Sequence, residues 1–247
     1  MSNAFEFQGV TKRFGKTVAL DDITYTAPRQ SVIGLIGKNG SGKSTLIRHV
    51  IGLYLPTSGD CTTLGKPARD LGRAELSRIG VAHQNDSFLP WMRARQLLRY
   101  VSSFYETWDT GWERRLMSEL EVDEDARVGA MSPGNAQKLS LVLATCHRPE
   151  LLLLDEPLSA LDPIARQDVL AMILDFFRDE QSTIVVSSHI LSDIERVADR
   201  VLWLETGRVV ADTTLDDLKE SHDRPLEEIF RSRTGGLAAV PTGGGAE

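Results

Sequence analysis

The stretch Gly37-Lys-Asn-Gly-Ser-Gly-Lys-Ser-Thr45 constrains this chain more than any other. Gly37, four residues, then Gly42, Lys43 and Ser44 is a complete phosphate-loop pattern. The pattern counts only between a strand and a helix, and both flanks fit. Ser31-Val-Ile-Gly-Leu-Ile36 is a mostly apolar run suited to a buried strand, and Leu46 to Ile51 continues as a helix. The glycines let successive backbone N–H groups turn inward with no Cβ in the way, and the following helix aims its positive end at the same point. Lys43 reaches toward the β- and γ-phosphates and the Ser44 hydroxyl toward Mg²⁺. The alternative, a glycine-rich turn that matches by chance, has to produce the lysine, the serine and both flanks together. The expected binding residues for a nucleoside triphosphate are Gly37, Lys38, Asn39, Gly40, Ser41, Gly42, Lys43, Ser44 and Thr45.

A length of 247 residues allows one large α/β domain with an inserted subdomain, and 41% hydrophobic residues suffice for a core. No window approaches eighteen consecutive apolar residues, so no membrane span is expected. The N-terminus lacks a basic region followed by an apolar run, so no secretion signal is expected either. Cys61 and Cys146 lie far apart and outside metal-ligand spacing, which reads as two reduced thiols in a cytosolic protein. The net charge of −7 argues against broad binding to a phosphate backbone, so nucleic acid is not expected as a partner.

Residues 5–35 read as strand-rich, with Lys12-Arg-Phe-Gly-Lys16 as a basic turn. Phe14 there either stacks on a base or is a partly buried aromatic at a hairpin end. Turn signals fill Pro56 to Gly59 and Gly65 to Pro67, an Arg-rich helix is expected near Leu71 to Arg78, and Gly80 to His83 reads as a strand that ends in Gln84. From about residue 86 to 148 the pattern turns helical. Phe88, Trp91, Tyr100, Phe104, Tyr105, Trp108 and Trp112 fall in this insertion, and most are expected to form its own core. Phe88-Leu-Pro-Trp91, in a Pro-containing loop beside Gln84, reads as a docking patch.

Ser132 is a good N-cap, Pro133 suits the first helical position, and Gly134 leaves an open N–H at a helix mouth. Taken alone this describes an ordinary capped helix. Leu151-Leu-Leu-Leu-Asp155-Glu156 is a buried strand ending in two carboxylates, which are costly there unless a metal or a reacting group uses them. Opposite a phosphate loop, Asp155 would hold Mg²⁺ and Glu156 would position or deprotonate the attacking water. His189 follows the apolar strand Thr183 to Val186, at the edge where open α/β sheets place their ligands. Val201 to Leu204 and Arg208 to Ala211 read as a hairpin, and Leu215 to Glu220 and Leu226 to Phe230 as short helices.

In this order the parts resemble the ATP-binding subunit of an ABC (ATP-binding cassette) transporter, over roughly residues 4–232. Gly37 to Thr45 is similar to the Walker A loop, and Leu151 to Glu156 to Walker B with its catalytic glutamate. Gln84 matches the Q-loop glutamine, Ser159 to Asp162 the D-loop, His189 the switch histidine and Phe14 the adenine-stacking aromatic. Met131 to Asn135 fills the signature slot, where only Ser132 and Gly134 agree with the family's L-S-G-G-Q.

The resemblance implies an α/β fold with a P-loop NTPase core. A mostly parallel central sheet is joined by an antiparallel N-terminal β part, and a helical subdomain is inserted at about 86–148 within an ATPase domain of residues 1–232. A Gly-rich tail, 233–247, is expected to be disordered. ATP and Mg²⁺ are the implied cofactors. Glu156, His189, Lys43 and Gln84 are the implied catalytic residues, with Ser44, Gln84 and Asp155 toward the metal. Ser132 and Gly134 would meet the nucleotide of a second cassette. An integral-membrane permease is the other implied partner, docking near Phe88 and Trp91 and holding the chain on the cytoplasmic face of the membrane.

The expected function is ATP hydrolysis that drives export through a separate permease chain. The alternative is a soluble ATPase of the same family acting on nucleic acid or the translation machinery, which length and acidity disfavour. A non-catalytic module is disfavoured by the intact Lys43, Asp155, Glu156 and His189.

Overall fold

The computed structural model describes residues 3–84, 88–180 and 182–220. The expected helix at 226–230 and the tail lie outside the described residues. The elements are β1 (Phe5–Phe14), β2 (Thr17–Ala27), β3 (Val32–Ile36), α1 (Lys43–Val50), β4 (Ser58–Thr63), β5 (Lys66–Pro67), α2 (Arg73–Leu76) and β6 (Ile79–Ala82), followed by α3 (Ala94–Ser102), α4 (Thr110–Glu119) and α5 (Pro133–Thr145). The chain continues with β7 (Leu151–Asp155), α6 (Pro163–Glu180), β8 (Thr183–Ser188), α7 (Leu191–Val197), β9 (Arg200–Glu205), β10 (Arg208–Thr214) and α8 (Leu215–Glu220).

Two sheets result. The central one has the order β10-β9-β3-β8-β7-β6, parallel except for the antiparallel edge strand β10. The other, β2-β1-β4-β5, is antiparallel. The strand period of two decides how they pack. Ile33, Leu35, Leu151, Leu153, Val185, Leu202 and Leu204 point to one face of the central sheet, against Leu46, Ile47 and Val50 of α1 and Phe5, Phe7, Leu20 and Ile23 of the antiparallel sheet. Their alternates, Val32, Ile36, Leu152, Leu154, Ile184, Val186, Val201 and Trp203, face α5, α6 and α7. Residues 151–154 and 183–186 are buried throughout because both faces are covered.

Three local expectations are corrected. The basic turn is shorter than expected: the strand runs through Lys12, Arg13 and Phe14, paired with Leu20, Val18 and Thr17, and turns at Gly15 and Lys16. The turn-rich stretch after α1 contains a strand, β4, whose pairing with Phe5 to Thr11 overrides its weak local propensity. The Arg-rich helix is a single turn, Arg73–Leu76.

The helical insertion also lacks the private core expected of it. Among its aromatics Trp112 is buried, but it packs on Phe176 of α6 at 6.0 Å and donates from Nε1 to Thr145 Oγ1 at 3.1 Å. Arg115 reaches across to Asp175 at 2.6 Å. Tyr100 and Phe104 are exposed, 5.1 Å apart edge to face. Tyr105 stacks on His147 at 4.1 Å. The helices α3 and α4 are amphipathic toward the same apolar layer that covers the central sheet, so they add to that core. Beneath them α5 lies directly on β6: a Cβ at Gly80 would stand 2.1 Å from the Ala144 carbonyl oxygen.

Candidate functional site

The ends of β3, β8 and β7 are neighbours in the central sheet, and the loop residues leaving them converge. Beyond β3, Gly37 leaves no room for a side chain, since a Cβ would lie 2.4 Å from both the Leu204 carbonyl oxygen and Ser41 Oγ. Gly42 takes φ 109° at the N-cap of α1, where a Cβ would meet the Ala19 carbonyl oxygen at 2.6 Å. No side chain caps this helix. Its first N–H groups are therefore left for a ligand, and anions suit them. The loop is held from outside: Ser41 N donates to Lys38 O at 3.0 Å, and Gly207 N, in the β9–β10 turn, donates to Ser41 O at 3.0 Å. Ser41 Oγ is buried without a hydrogen-bond partner, which a native interior avoids unless something else supplies one.

Lys43 is the first residue of α1 and is buried. Its Nζ donates to Gly37 O at 2.8 Å and lies 3.2 Å from Glu156 Oε1. Glu156 is buried too, and its Oε2 lies 2.7 Å from His189 Nδ1. The three groups form a line from the phosphate loop, across the end of β7, to the end of β8. Glu156 adopts φ 52°, a left-handed conformation that costs a non-glycine residue about 1 kcal/mol or more. That turn is held in place: Ser187 Oγ accepts from Glu156 N at 2.8 Å and donates to Asp155 Oδ1 at 2.8 Å, and Ser159 Oγ donates to Glu156 O at 3.0 Å. Ser187 is a site residue that sequence reading missed. The signal was a hydroxyl pair, Ser187-Ser188, closing an apolar strand next to His189, and the β7–β8 register sets Ser187 opposite Asp155.

Lys43, Asp155, Glu156 and His189 are thus brought together, with Ser44 half-buried beside Lys43 on α1. The other candidates make their contacts elsewhere. Gln84 follows β6 at the outer end of the sheet and is exposed. Phe14 ends β1, is 45% exposed, and meets Tyr54 edge to face at 5.4 Å. Ser132 caps α5, its Oγ accepting from Asn135 N at 3.2 Å, and a Cβ at Gly134 would stand 2.9 Å from Ala160 O. The mouth of α5 therefore lies against the segment that leaves Glu156. Asp162 closes that segment by accepting from Ala165 N and Ile164 N at 3.0 and 2.9 Å, bonds that hold its carboxyl below the usual range. Phe88 is half-buried against the core, which leaves Trp91, 67% exposed, as the open part of the expected docking patch.

Among the described residues no group of three or more His, Cys, Asp or Glu could hold a metal ion, so no all-protein cage exists there. A single carboxylate at Asp155 and a hydroxyl at Ser44 suit a hard cation that arrives with phosphate oxygens. The two cysteines are free and buried on opposite faces of the central sheet. Burial pushes the Cys61 thiol up to about 12 and the Cys146 thiol upward as well, so both stay protonated.

The family model described as ABC transporter matches residues 20–159, more than half of the chain. The Nod factor export ATP-binding protein I of Rhizobium sp. (strain N33) is 33% identical over 229 residues, covering 89% of this chain and 73% of that protein. The phosphonates import ATP-binding protein PhnC of Frankia casuarinae is 34% identical over 263 residues, covering 96% and 99%. Among solved structures, an ATP-binding subunit of an ABC transporter superposes with a TM-score of 0.84 at 28% identity, covering 94% of this chain and 99% of that one. A dimeric bacterial ABC transporter cassette, 21% identical, shares the fold with a TM-score of 0.76 over 85% and 98%. No helix among the described residues is long and apolar enough to cross a membrane. With a glycine-rich loop at the uncapped head of α1 and Lys43, Glu156 and His189 aligned beside it, this chain belongs to the ABC transporter family as an ATP-binding subunit that hydrolyses ATP.

Proposed function

We propose that the chain drives export through a separate membrane permease, by closing with a second cassette around ATP and reopening after hydrolysis. The observation that carries the chemical part is the Lys43–Glu156–His189 line beside the uncapped start of α1. In this reading Gly37 to Thr45 hold the phosphates, while Ser44, Asp155 and Gln84 serve Mg²⁺, which supplies charge neutralisation on the phosphate oxygens. Lys43 exchanges Glu156 for the β- and γ-phosphates, and Glu156 Oε1 is then free to accept a proton from water. The water oxygen bonds to the γ-phosphorus, the bond from that phosphorus to the bridging oxygen breaks, and ADP leaves with the pair of electrons. His189 keeps Glu156 oriented through Nδ1 and reaches the γ-phosphate with the rest of its ring.

Phe14 stacks on adenine, and Ser132 with Gly134 meets the γ-phosphate in the partner cassette. Dimerisation is supported by the dimeric state of the cassette with the same fold. Docking on a permease near Trp91 and Phe88 is supported by the exposure of Trp91, and it would hold the chain at the cytoplasmic face. Export agrees with the name of the Nod factor relative, although the phosphonate relative of comparable identity is named for import. Direction is read in inverted vesicles: export predicts ATP-dependent accumulation of the permease's cargo, import its loss. The nucleic-acid alternative is not favoured by relatives that are named as transporter subunits.

Glu156→Gln tests the core of this reading. It should retain ATP binding, lose about 10²–10⁴-fold in hydrolysis, and run as a dimer by light scattering only with Mg-ATP. Normal turnover would overturn the role of Glu156. Capture of a multi-span membrane protein by the tagged variant in detergent extracts supports the transporter assignment, and capture of ribosomal proteins in its place would sink it.

A further inference from the structure

We infer that Tyr54 is a positioning residue for the adenine base, bracing Phe14 and tying it to the phosphate-loop helix; the inference rests on the proposed stacking of adenine on Phe14. Tyr54 follows α1 by four residues and folds back on it. Its N–H donates to Arg48 O at 3.1 Å, its hydroxyl accepts from Arg48 Nη1 at 3.2 Å, and its ring meets His49 at 6.0 Å and 74°. The same ring meets Phe14 at 5.4 Å and 69°. Lys12 binds the two rings together. Its Nζ lies 5.1 Å from the Phe14 centroid and 5.6 Å from that of Tyr54, and donates to Leu55 O at 2.7 Å. The same segment is stitched to β1 through Thr57, whose N–H donates to Thr11 O at 2.7 Å and whose Oγ1 accepts from Arg13 N at 3.0 Å.

A half-exposed phenylalanine at a strand end would otherwise change rotamer freely and lose that freedom on binding a base. Edge-to-face packing and a shared cation fix the ring beforehand. With these contacts in place Phe14 is still 45% exposed. Because the brace is anchored on Arg48 and His49, the base platform and the phosphate loop keep a fixed separation through one helix.

The brace should matter only to ligands that carry a base. Mg-ADP and inorganic pyrophosphate are titrated calorimetrically into the full chain and into Tyr54→Leu, Tyr54→Phe, Phe14→Ala and the Phe14→Ala/Tyr54→Leu pair. Tyr54→Leu should weaken ADP about three- to tenfold and leave pyrophosphate within about twofold, the size expected of one aromatic contact. Tyr54→Phe, which keeps the ring, should stay within about twofold of the parent for ADP. In the Phe14→Ala background, Tyr54→Leu should cost nothing more, because the two act as one unit. Equal weakening of ADP and pyrophosphate would overturn the inference by placing Tyr54's role in the phosphate loop. If Phe14→Ala weakens ADP and Tyr54→Leu does not, the brace alone is wrong. If Phe14→Ala leaves ADP affinity unchanged, the adenine platform falls and the brace with it.

Discussion

Glu156 is buried between a lysine and a histidine and held at a positive φ, so its environment is balanced only while Lys43 is present. Removing one partner of a buried ion pair leaves an uncompensated charge and costs about 3–5 kcal/mol, whereas removing both is far milder. Lys43→Ala should therefore lower stability toward urea by about 3 kcal/mol, and Lys43→Ala/Glu156→Gln should recover most of it without recovering hydrolysis. Additive losses would show that the pair is not coupled. His147 carries a second charge argument. Burial pushes its imidazole from 6.5 down to about 4, and its Nε2 lies 3.2 Å from Ile79 O, so the neutral ring with a proton on Nε2 is the form that fits. Between those pH values the unfolded chain binds a proton that the folded chain refuses. Stability is full above about pH 6.5 and falls as pH drops, by about 2 kcal/mol at pH 5. His147→Phe should flatten the urea midpoint over that window, and an unchanged slope would mean that another group sets it.

At the scale of elements, α4 and α5 show how packing and capping divide the work. Trp112 joins α4 to α6 through Phe176, with the Arg148 guanidinium 4.5 Å from its ring centre. Trp112→Ala should cost about 3–5 kcal/mol in urea unfolding, the usual range for truncating a buried aromatic. A loss under about 1 kcal/mol would mean that the helical insertion folds without it. In α5, Ser132 caps and Pro133 occupies the first helical turn, where its missing N–H costs nothing because that donor has no partner in the helix. Pro133→Gly should therefore leave ATPase turnover within about tenfold, and a rise of orders of magnitude would show that the departure from the family signature throttles the site. These caps, like the apolar runs of β3, β7 and β8, were readable from residues alone because each depends on neighbours within a few positions. Strand β4 was not, since its partners in β1, such as Phe5 for Thr63, lie far away in the chain.

At the scale of the whole molecule, the central sheet sorts the chain. Its two faces define two apolar layers, and its strand ends deliver a lysine, two carboxylates and a histidine to one edge. Those groups, the glycine-rich loop that faces them and the α/β alternation were legible in the chain alone, because motif spacing and apolar period are local properties. Folding alone set Ser187 against Asp155 and Glu156, Tyr54 against Phe14, and the helical insertion into the core shared with α5 and α6. Each of these is a contact between segments far apart in the chain. Such contacts follow from strand register and helix packing, which a one-dimensional pattern does not encode.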